Sequence, residues 1–181
     1  MTTSHRNALI EHLRDHAVRT DGPFTLRSGV VSSWYLDARQ TTFDGEGARL
    51  IGAAVAEVVP EGANAVGGLT MGADPIAVAT AMTVGATLRA FSVRKEAKSH
   101  GTGGRLVGPV GAGDRVFVVE DTTTTGAALI EAIEALEAED VAVVGALSVV
   151  DRSEGVVAER MAQLGVPYQA LVLPADLGVT P

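Results

Sequence analysis

The amino-acid sequence predicts an α/β fold with a central, mostly parallel sheet flanked by helices. Short runs rich in Val, Ile and Leu alternate with longer segments of helical periodicity, which is typical of strands that are buried on both faces. Hydrophobic residues make up 46% of the 181-residue chain and aromatic residues only 4%, so Ala, Val, Leu and Ile must build the core. We expect a single domain over residues 1–181.

The first predicted element is a helix over residues 5–18, whose apolar residues recur on one side. Residues 22–39 are expected to form a short strand pair or an ordered loop, because turn residues stand between the apolar ones. Asp44 is expected to cap a second helix, which runs to about Val59 and is ended by Pro60.

Strands and helices alternate along the rest of the chain. Strands are predicted at residues 64–69, 87–93, 115–120, 141–150 and 168–173, and helices at residues 73–84, 126–139 and 154–164. Residues 94–113 contain six glycines and are expected to form a flexible loop.

Composition and charge exclude several classes of function. The net charge of −8 argues against nucleic-acid binding, which needs a basic face, and the absence of cysteine excludes disulfides and thiolate metal sites. The polar N-terminus lacks the apolar core of a signal peptide and no 18-residue apolar run follows, so we expect a cytoplasmic protein without membrane association. His12 and His16 have a spacing that suits a metal, but no third ligand is near, so a solvated helix face is favoured and no protein metal ligand is predicted.

Three polar clusters follow predicted strands. They are residues 94–105, residues 120–126 and the pair Asp151–Arg152. Because ligands of parallel sheets bind beyond the carboxyl ends of the strands, we expect one site to contain all three clusters.

The central cluster has the sequence EDTTTTG, from Glu120 to Gly126. The unpaired N–H groups of residues 124–128 at a helix start favour an anion, and the glycine allows a close approach of the backbone. GxxxxGK[ST] and GxGxxG are both absent here, so the two acids must face vicinal hydroxyls or a hydrated cation. A ribose 5-phosphate supplies both kinds of group; the alternative is an ordinary N-capped helix whose acids face solvent.

The segment VFVVEDTTTTGAAL resembles the phosphoribosyl-pyrophosphate (PRPP) signature of type I phosphoribosyltransferases. The resemblance implies the fold of that family, with a small N-terminal hood over residues 1–43 and a flexible catalytic loop over residues 94–113. In the family the two acids hold the ribose hydroxyls and the turn binds the 5-phosphate. The implied PRPP-binding residues are Glu120, Asp121, Thr122, Thr123, Thr124, Thr125, Gly126, Ala127 and Ala128.

The chain's only two lysines, Lys95 and Lys98, stand together with Arg94 and His100 before the glycines. Such a loop can be a solvated surface segment or a lid that closes over a polyanion. The pattern RKxxKxHG resembles the catalytic loop of orotate phosphoribosyltransferases. The resemblance implies a homodimer in which Arg94 and Lys98 act in the neighbouring subunit's site, while Lys95 and His100 also contact the diphosphate.

Further segments are similar to orotate-binding parts of the same family. FTLRSG places Arg27 at the substrate, Trp34 and Tyr35 follow where relatives place side chains against the pyrimidine ring, and VVDRSEG places Arg152 on orotate. Thr124 is implied as a further orotate contact. Core packing is the alternative for the two aromatic residues, and a salt bridge with the neighbouring Asp151 or Glu154 is the alternative for the arginine.

One position departs from the family pattern. Many relatives have a lysine on the diphosphate side in the segment GGLTMGADPIA, where this chain has Gly72, so backbone amides around residues 70–73 are expected to serve instead. The resemblance implies that orotate and PRPP react to give orotidine 5′-phosphate and pyrophosphate, with Mg²⁺ held mainly by substrate oxygens and water. The rival readings are a purine phosphoribosyltransferase and a non-catalytic sensor of PRPP.

Overall fold

The computed structural model describes residues 3–25, 31–97 and 104–180. The elements of its N-terminal part are α1 (Thr3–His16), β1 (Val18–Arg19), β2 (Phe24–Thr25), β3 (Val31–Ser32), β4 (Tyr35–Leu36) and α2 (Arg39–Thr42). The strands form two small antiparallel pairs, in which β1 pairs with β4 and β2 pairs with β3. The first helix ends two residues earlier than predicted, because Val18 pairs with Leu36 in a strand.

A six-stranded sheet follows, with the strands β5 (Ala65–Leu69), β6 (Arg89–Val93), β7 (Leu106–Val107), β8 (Arg115–Thr123), β9 (Ala142–Asp151) and β10 (Tyr168–Val172). Their order in the sheet is β10-β9-β8-β5-β6-β7. All of its neighbouring pairs are parallel except β6 with β7. The predicted mostly parallel sheet is therefore confirmed, and the carboxyl ends of β5, β6, β8 and β9 lie at one edge.

Four longer helices precede or connect these strands. They are α3 (Gly45–Ala56), α4 (Ala73–Val84), α5 (Ala127–Glu137) and α6 (Val156–Gln163), and a 3-10 helix spans Pro174–Leu177. The predicted cap of α3 is confirmed, since the Asp44 carboxylate accepts hydrogen bonds from the N–H groups of Glu46 and Gly47 at 3.0 and 2.9 Å. This helix ends three residues before the expected Val59.

The core lies on both faces of the sheet. On one face Leu9, Ile51 and Ile76 from α1, α3 and α4 are buried in a single cluster. On the other face Leu129 and Met161 from α5 and α6 belong to a second cluster. Helices therefore cover both faces, as the continuous apolar strands predict.

Two predicted boundaries are wrong. β8 continues through the acids to Thr123, because its end stays paired with β9 in the register Thr123↔Asp151. Within the expected loop of residues 94–113, Leu106 and Val107 form β7 on β6. Among the helices described here, none has the length and apolar character that a membrane span requires.

Candidate functional site

Two of the three predicted polar clusters line a cavity of about 350 Å³ at the carboxyl edge of the sheet. The third, Asp151–Arg152, is joined to the end of β8 by a 2.8 Å hydrogen bond from the N–H of Arg152 to the carbonyl of Thr123. Residues of the N-terminal part and of the β5–α4 connection complete the walls of the cavity. The predicted site residues that line it are Tyr35, Lys95, Glu120, Asp121, Thr122 and Ala128.

The two acids stand at the end of β8 and differ in exposure. The Glu120 residue is only 7% exposed, and its Oε2 atom has no hydrogen-bond partner among the described residues. Burial, and next the charge of Asp121, raises the pKa of Glu120 to about 9. Asp121 is half-buried and accepts a 2.6 Å hydrogen bond from the N–H of Thr122. The pair thus offers a protonated carboxyl group beside a more accessible carboxyl group.

Gly72 lies against both acids. A Cβ atom at this position would be 2.6 Å from Oε1 of Glu120 and 2.9 Å from Oδ1 of Asp121, so a side chain here would displace the carboxyl groups. Of the backbone amides around residues 70–73, which are expected to take the place of a lysine, one is not available. The N–H of Thr70 donates to the carbonyl of Val93 and therefore cannot contact a ligand.

The threonine turn is shorter than predicted, since α5 begins at Ala127 and β8 ends at Thr123. Thr124 and Thr125 are exposed, and Gly126 adopts a left-handed conformation with φ of 75°. Nη1 of Arg160, on α6, donates a 2.7 Å hydrogen bond to the carbonyl of Thr125 and so connects the turn to α6. The turn thus retains an exposed helix start, a position that favours anions.

Asp151 connects three elements beneath the turn. This residue is 5% exposed, and its carboxylate accepts hydrogen bonds from the N–H of Ser153 at 2.8 Å, the hydroxyl of Tyr168 at 3.1 Å and the hydroxyl of Thr123 at 3.3 Å. Burial raises the pKa of Tyr168 to about 12, so its hydroxyl stays protonated and able to donate. The network fixes the end of β8, which carries the turn, relative to the end of β9, which carries Arg152.

Arg152 stands over the indole ring of Trp34, with its guanidinium carbon 4.3 Å from the ring centroid. Burial lowers the pKa of Arg152, and its Nε atom has no hydrogen-bond partner among the described residues. The alternative salt bridge with Asp151 or Glu154 is not formed in the described part of the chain. Trp34 is buried in the core, whereas Tyr35 is exposed at the cavity, so the two aromatic residues have different surroundings.

The cationic residues of the 94–105 cluster do not all face this cavity. Lys95 lines it, but Arg94 lines a separate cavity of about 630 Å³ together with Gly104 and Glu139. Lys98, His100 and the hood residue Arg27 lie outside the described residues.

Comparisons with known proteins agree with the geometry. The family described as phosphoribosyl transferase domain matches residues 46–168. An orotate phosphoribosyltransferase of Streptomyces avermitilis is 43% identical over 178 residues, which cover 96% of this chain and 97% of the relative. The chain belongs to the orotate phosphoribosyltransferase family.

Solved structures of this family have the same fold. The Mycobacterium tuberculosis orotate phosphoribosyltransferase in complex with PRPP has a TM-score of 0.83 and 36% identity, covering 97% of this chain and 99% of that one. The same enzyme in complex with Fe(III) dicitrate has a TM-score of 0.88 and 39% identity, covering 97% and 99%. The type I phosphoribosyltransferase fold predicted from the sequence is confirmed.

For this member of the orotate phosphoribosyltransferase family, sequence reasoning missed two charged residues of the cavity, Asp37 and Arg39. Nε of Arg39 donates a 2.7 Å hydrogen bond to Oδ1 of Asp37. The only signal in the sequence was their place directly after the aromatic pair Trp34–Tyr35, in the segment WYLDAR.

The expected solvated face of α1 is wrong for His12. Its side chain is 10% exposed and forms hydrogen bonds with Oγ1 of Thr41 at 3.2 Å and Oδ1 of Asp44 at 3.0 Å. Its ring centroid is 4.3 Å from that of His16. His12 thus joins α1 to the cap of α3, and the described residues contain no group of His, Asp and Glu that could hold a metal by itself.

Proposed function

We propose that this chain transfers ribose 5-phosphate from PRPP to orotate, giving orotidine 5′-phosphate and pyrophosphate, a step of pyrimidine nucleotide synthesis. The observation that carries the proposal is the meeting of the acid pair, the threonine turn and Arg152 at one edge of the sheet. Its family members named above support the same activity.

The substrate groups have matching partners on the protein. The backbone N–H groups and hydroxyls of residues 124–128 bind the 5-phosphate, and Glu120 and Asp121 bind the ribose hydroxyls. A protonated Glu120 donates one hydrogen bond, while Asp121 accepts from the hydroxyl groups. This arrangement leaves the anomeric carbon above the acids, open to the cavity.

Arg152 binds orotate. Its guanidinium lies over the ring of Trp34 and has no competing carboxylate partner in the described part of the chain, so its N–H groups are available for an anionic ligand. A planar guanidinium binds a carboxylate with two parallel hydrogen bonds, and a carboxylate distinguishes orotate from purine bases. Tyr35 faces the cavity and contacts the pyrimidine ring, with Arg27 and Thr124 as further contacts.

The reaction is a displacement at the anomeric carbon. The bond to the diphosphate breaks as the orotate nitrogen forms the new glycosidic bond, and positive charge develops on the ribose. Orotate's nitrogen is acidic, so the protein supplies little base catalysis, and the main contribution is stabilisation of the departing diphosphate by Lys95, Lys98, His100 and Arg94.

Mg²⁺ fits this site as a partner of the substrate. The unpartnered Oε2 of Glu120 and the accessible carboxylate of Asp121 can hold water molecules of a hydrated ion, whereas the described residues have no complete ligand set. When bound, the ion neutralises charge on the diphosphate.

The active form is proposed to be a homodimer whose catalytic loops reach into each other's sites. Arg94, at the base of the loop, lines a cavity other than the one that contains the acids, which agrees with a role in the neighbouring site. Phe43, Val78 and Met82 are exposed on and beside α3 and α4, and this apolar surface is suited to a second copy of the chain. We further propose that the chain is a single domain with a hood over residues 1–43. We also propose that it is located in the cytoplasm and does not bind nucleic acid.

The test is the loss of orotate absorbance in the presence of PRPP and Mg²⁺, with hypoxanthine and adenine as alternative acceptors. Of these three acceptors, we expect turnover only with orotate. Turnover of a purine without turnover of orotate would refute the proposal, and binding of PRPP without any transfer would identify a sensor.

A further inference from the structure

The site cavity contains more carboxyl groups than cationic side chains. Among its lining residues, Arg39 and Lys95 are cationic, whereas Asp37, Glu120 and Asp121 have carboxyl groups. A ligand with a diphosphate group needs positive charge here, and Gly72 supplies none. Arg39, from the N-terminal part of the chain, is therefore one of two lining residues that can supply this charge.

Arg39 is anchored through one atom of its guanidinium. Its Nε donates to Oδ1 of Asp37 at 2.7 Å, and Oδ2 of Asp37 accepts from Nε2 of Gln40 at 3.3 Å. Within the described residues, Nη1 and Nη2 of Arg39 form no hydrogen bond. The side chain is thus oriented by Asp37 while two of its nitrogen atoms remain available.

Two other exposed arginines, each paired with a nearby carboxylate in sequence, are bound differently. Arg19 donates from both Nε and Nη2 to the two carboxylate oxygens of Asp21, at 3.1 and 2.7 Å. Arg49 binds Glu46 in the same two-pronged way, at 2.8 and 2.6 Å. Arg39 thus differs from these two arginines, which also pair with a carboxylate two or three residues away, in leaving its Nη1 and Nη2 atoms outside the pair.

The electrostatic effect of Asp121 on Arg39 indicates that this arginine lies near the acid pair. The hydrogen bond to Asp37 raises the pKa of Arg39, and the charge of Asp121 contributes in the same direction. Lys95 acts on the neighbouring acid, since its charge opposes the effect of burial on the pKa of Glu120. Arg39 and Lys95 therefore both lie close to the acids that would hold the ribose.

We propose that Arg39 binds the diphosphate of PRPP through Nη1 and Nη2. The inference rests on the proposed function and adds a binding residue to it. The diphosphate is favoured over the 5-phosphate because the cavity that Arg39 lines includes Gly72 and Lys95, whereas of the residues 124–128 it includes Ala128 alone. The two nitrogens of a guanidinium match two oxygens of a phosphate group.

Calorimetric titration of the full-length variant Arg39→Gln with Mg²⁺–pyrophosphate and, separately, with ribose 5-phosphate tests the inference. Loss of a charge-assisted contact is expected to weaken pyrophosphate binding by about 10-fold or more, and to leave ribose 5-phosphate binding within about twofold. Arg39→Lys keeps the positive charge but lacks the two parallel N–H donors of the guanidinium, so it should give an intermediate pyrophosphate affinity.

Arg19→Gln is the matched control, because it also removes an exposed arginine that pairs with an aspartate two residues away. We expect no change in either affinity for the control, and melting temperatures verify that both variants are folded. Unchanged pyrophosphate binding in Arg39→Gln overturns the inference, as does an equal loss for ribose 5-phosphate or for the control. These titrations need no turnover, so failure of the orotate assay with the unaltered protein is a separate result.

Discussion

The guanidinium of Arg152 lies over the indole ring of Trp34, with its carbon 4.3 Å from the ring centroid. Trp34 is itself fixed, because its Nε1 donates a 2.7 Å hydrogen bond to the carbonyl of Thr180 near the C-terminus. The N-terminal part of the chain, the end of β9 and the C-terminal segment thus meet at the residue proposed to bind orotate. The ring orients Arg152 without using any of its N–H groups.

Trp34→Leu is expected to raise KM for orotate by about 10-fold, because a desolvated cation–π contact contributes about 1–2 kcal/mol. KM for PRPP should change little. Trp34→Phe is the matched variant, since it keeps an aromatic face but loses the hydrogen bond to Thr180. Steady-state kinetics with both substrates would contradict the stacking argument if the two variants raised KM for orotate equally.

Tyr168→Phe is expected to weaken the link between the ends of β8 and β9. Asp151 would keep its hydrogen bond from the N–H of Ser153 but lose the one from the hydroxyl of Tyr168. Loss of a hydrogen-bond donor to a buried group is expected to lower the free energy of unfolding by about 1–3 kcal/mol. KM for both orotate and PRPP should rise several-fold, because Arg152 and the threonine turn then lose their fixed spacing.

The control for this change is Thr80→Val, which removes a buried hydroxyl that bonds only to the carbonyl of Ile76, within α4. It should lower the free energy of unfolding by about 1 kcal/mol without changing either KM. Urea unfolding and steady-state kinetics on both variants separate the two effects. Equal KM values in Tyr168→Phe and the unaltered protein would show that the network does not position the site.

Much of the fold could be predicted because local signals agreed with it. Apolar strand runs, the Asp44 cap and the alternation of elements placed the polar clusters at one edge of the sheet without any coordinates. The acids and the threonines were found for the same reason, since they follow a buried strand directly.

What could not be predicted depends on pairing between distant segments. β8 extends through Glu120 to Thr123 only because β9 remains beside it, which no local periodicity indicates. Trp34 and Arg39 belong to the N-terminal part, and only the fold brings Trp34 against Arg152 and Arg39 to the cavity at the sheet edge. The hydroxyl of Tyr168 reaches Asp151 from another strand, so its sequence position gave no signal.

The stability of the protein should depend on the ionisation of Glu120. Its pKa is raised from an ordinary value of 4.5 to about 9, so the folded state binds more protons than the unfolded state between these values. The stabilisation is full below about pH 4.5 and is lost as the pH rises through about 9, with a slope of at most about 1.4 kcal/mol per pH unit. Glu120→Gln should flatten this decline of the free energy of unfolding, measured by urea titration at a series of pH values. Parallel profiles for the two proteins would show that Glu120 is ionised in the folded state.

Gly72→Ala is expected to raise KM for PRPP by about 10-fold or more, since a shift of binding groups that costs about 1.4 kcal/mol changes affinity tenfold. The new Cβ would stand 2.6 Å from Oε1 of Glu120 and 2.9 Å from Oδ1 of Asp121, so both carboxyl groups must move. Gly45→Ala is the control, because a Cβ there meets nothing within 4 Å at the start of α3. The control should leave KM unchanged and stabilise the fold by about 0.4–1 kcal/mol. A Gly72→Ala protein with unaltered PRPP kinetics would show that the acids tolerate displacement.

Mixing two inactive proteins tests whether the catalytic loop acts in the neighbouring site. In a dimer of one Lys98→Ala chain and one Asp121→Asn chain, a loop that crosses over completes one intact site and leaves one site with both defects. Random exchange of subunits should then recover about a quarter of the unaltered activity, because half of the dimers are mixed and each has one working site. Mixing Asp121→Asn with Asp121→Ala is the control, since both changes remove the same carboxylate and no mixed dimer gains a complete site. If verified exchange gives no more activity than this control, each loop serves its own subunit, and Arg94 in its separate cavity needs another explanation.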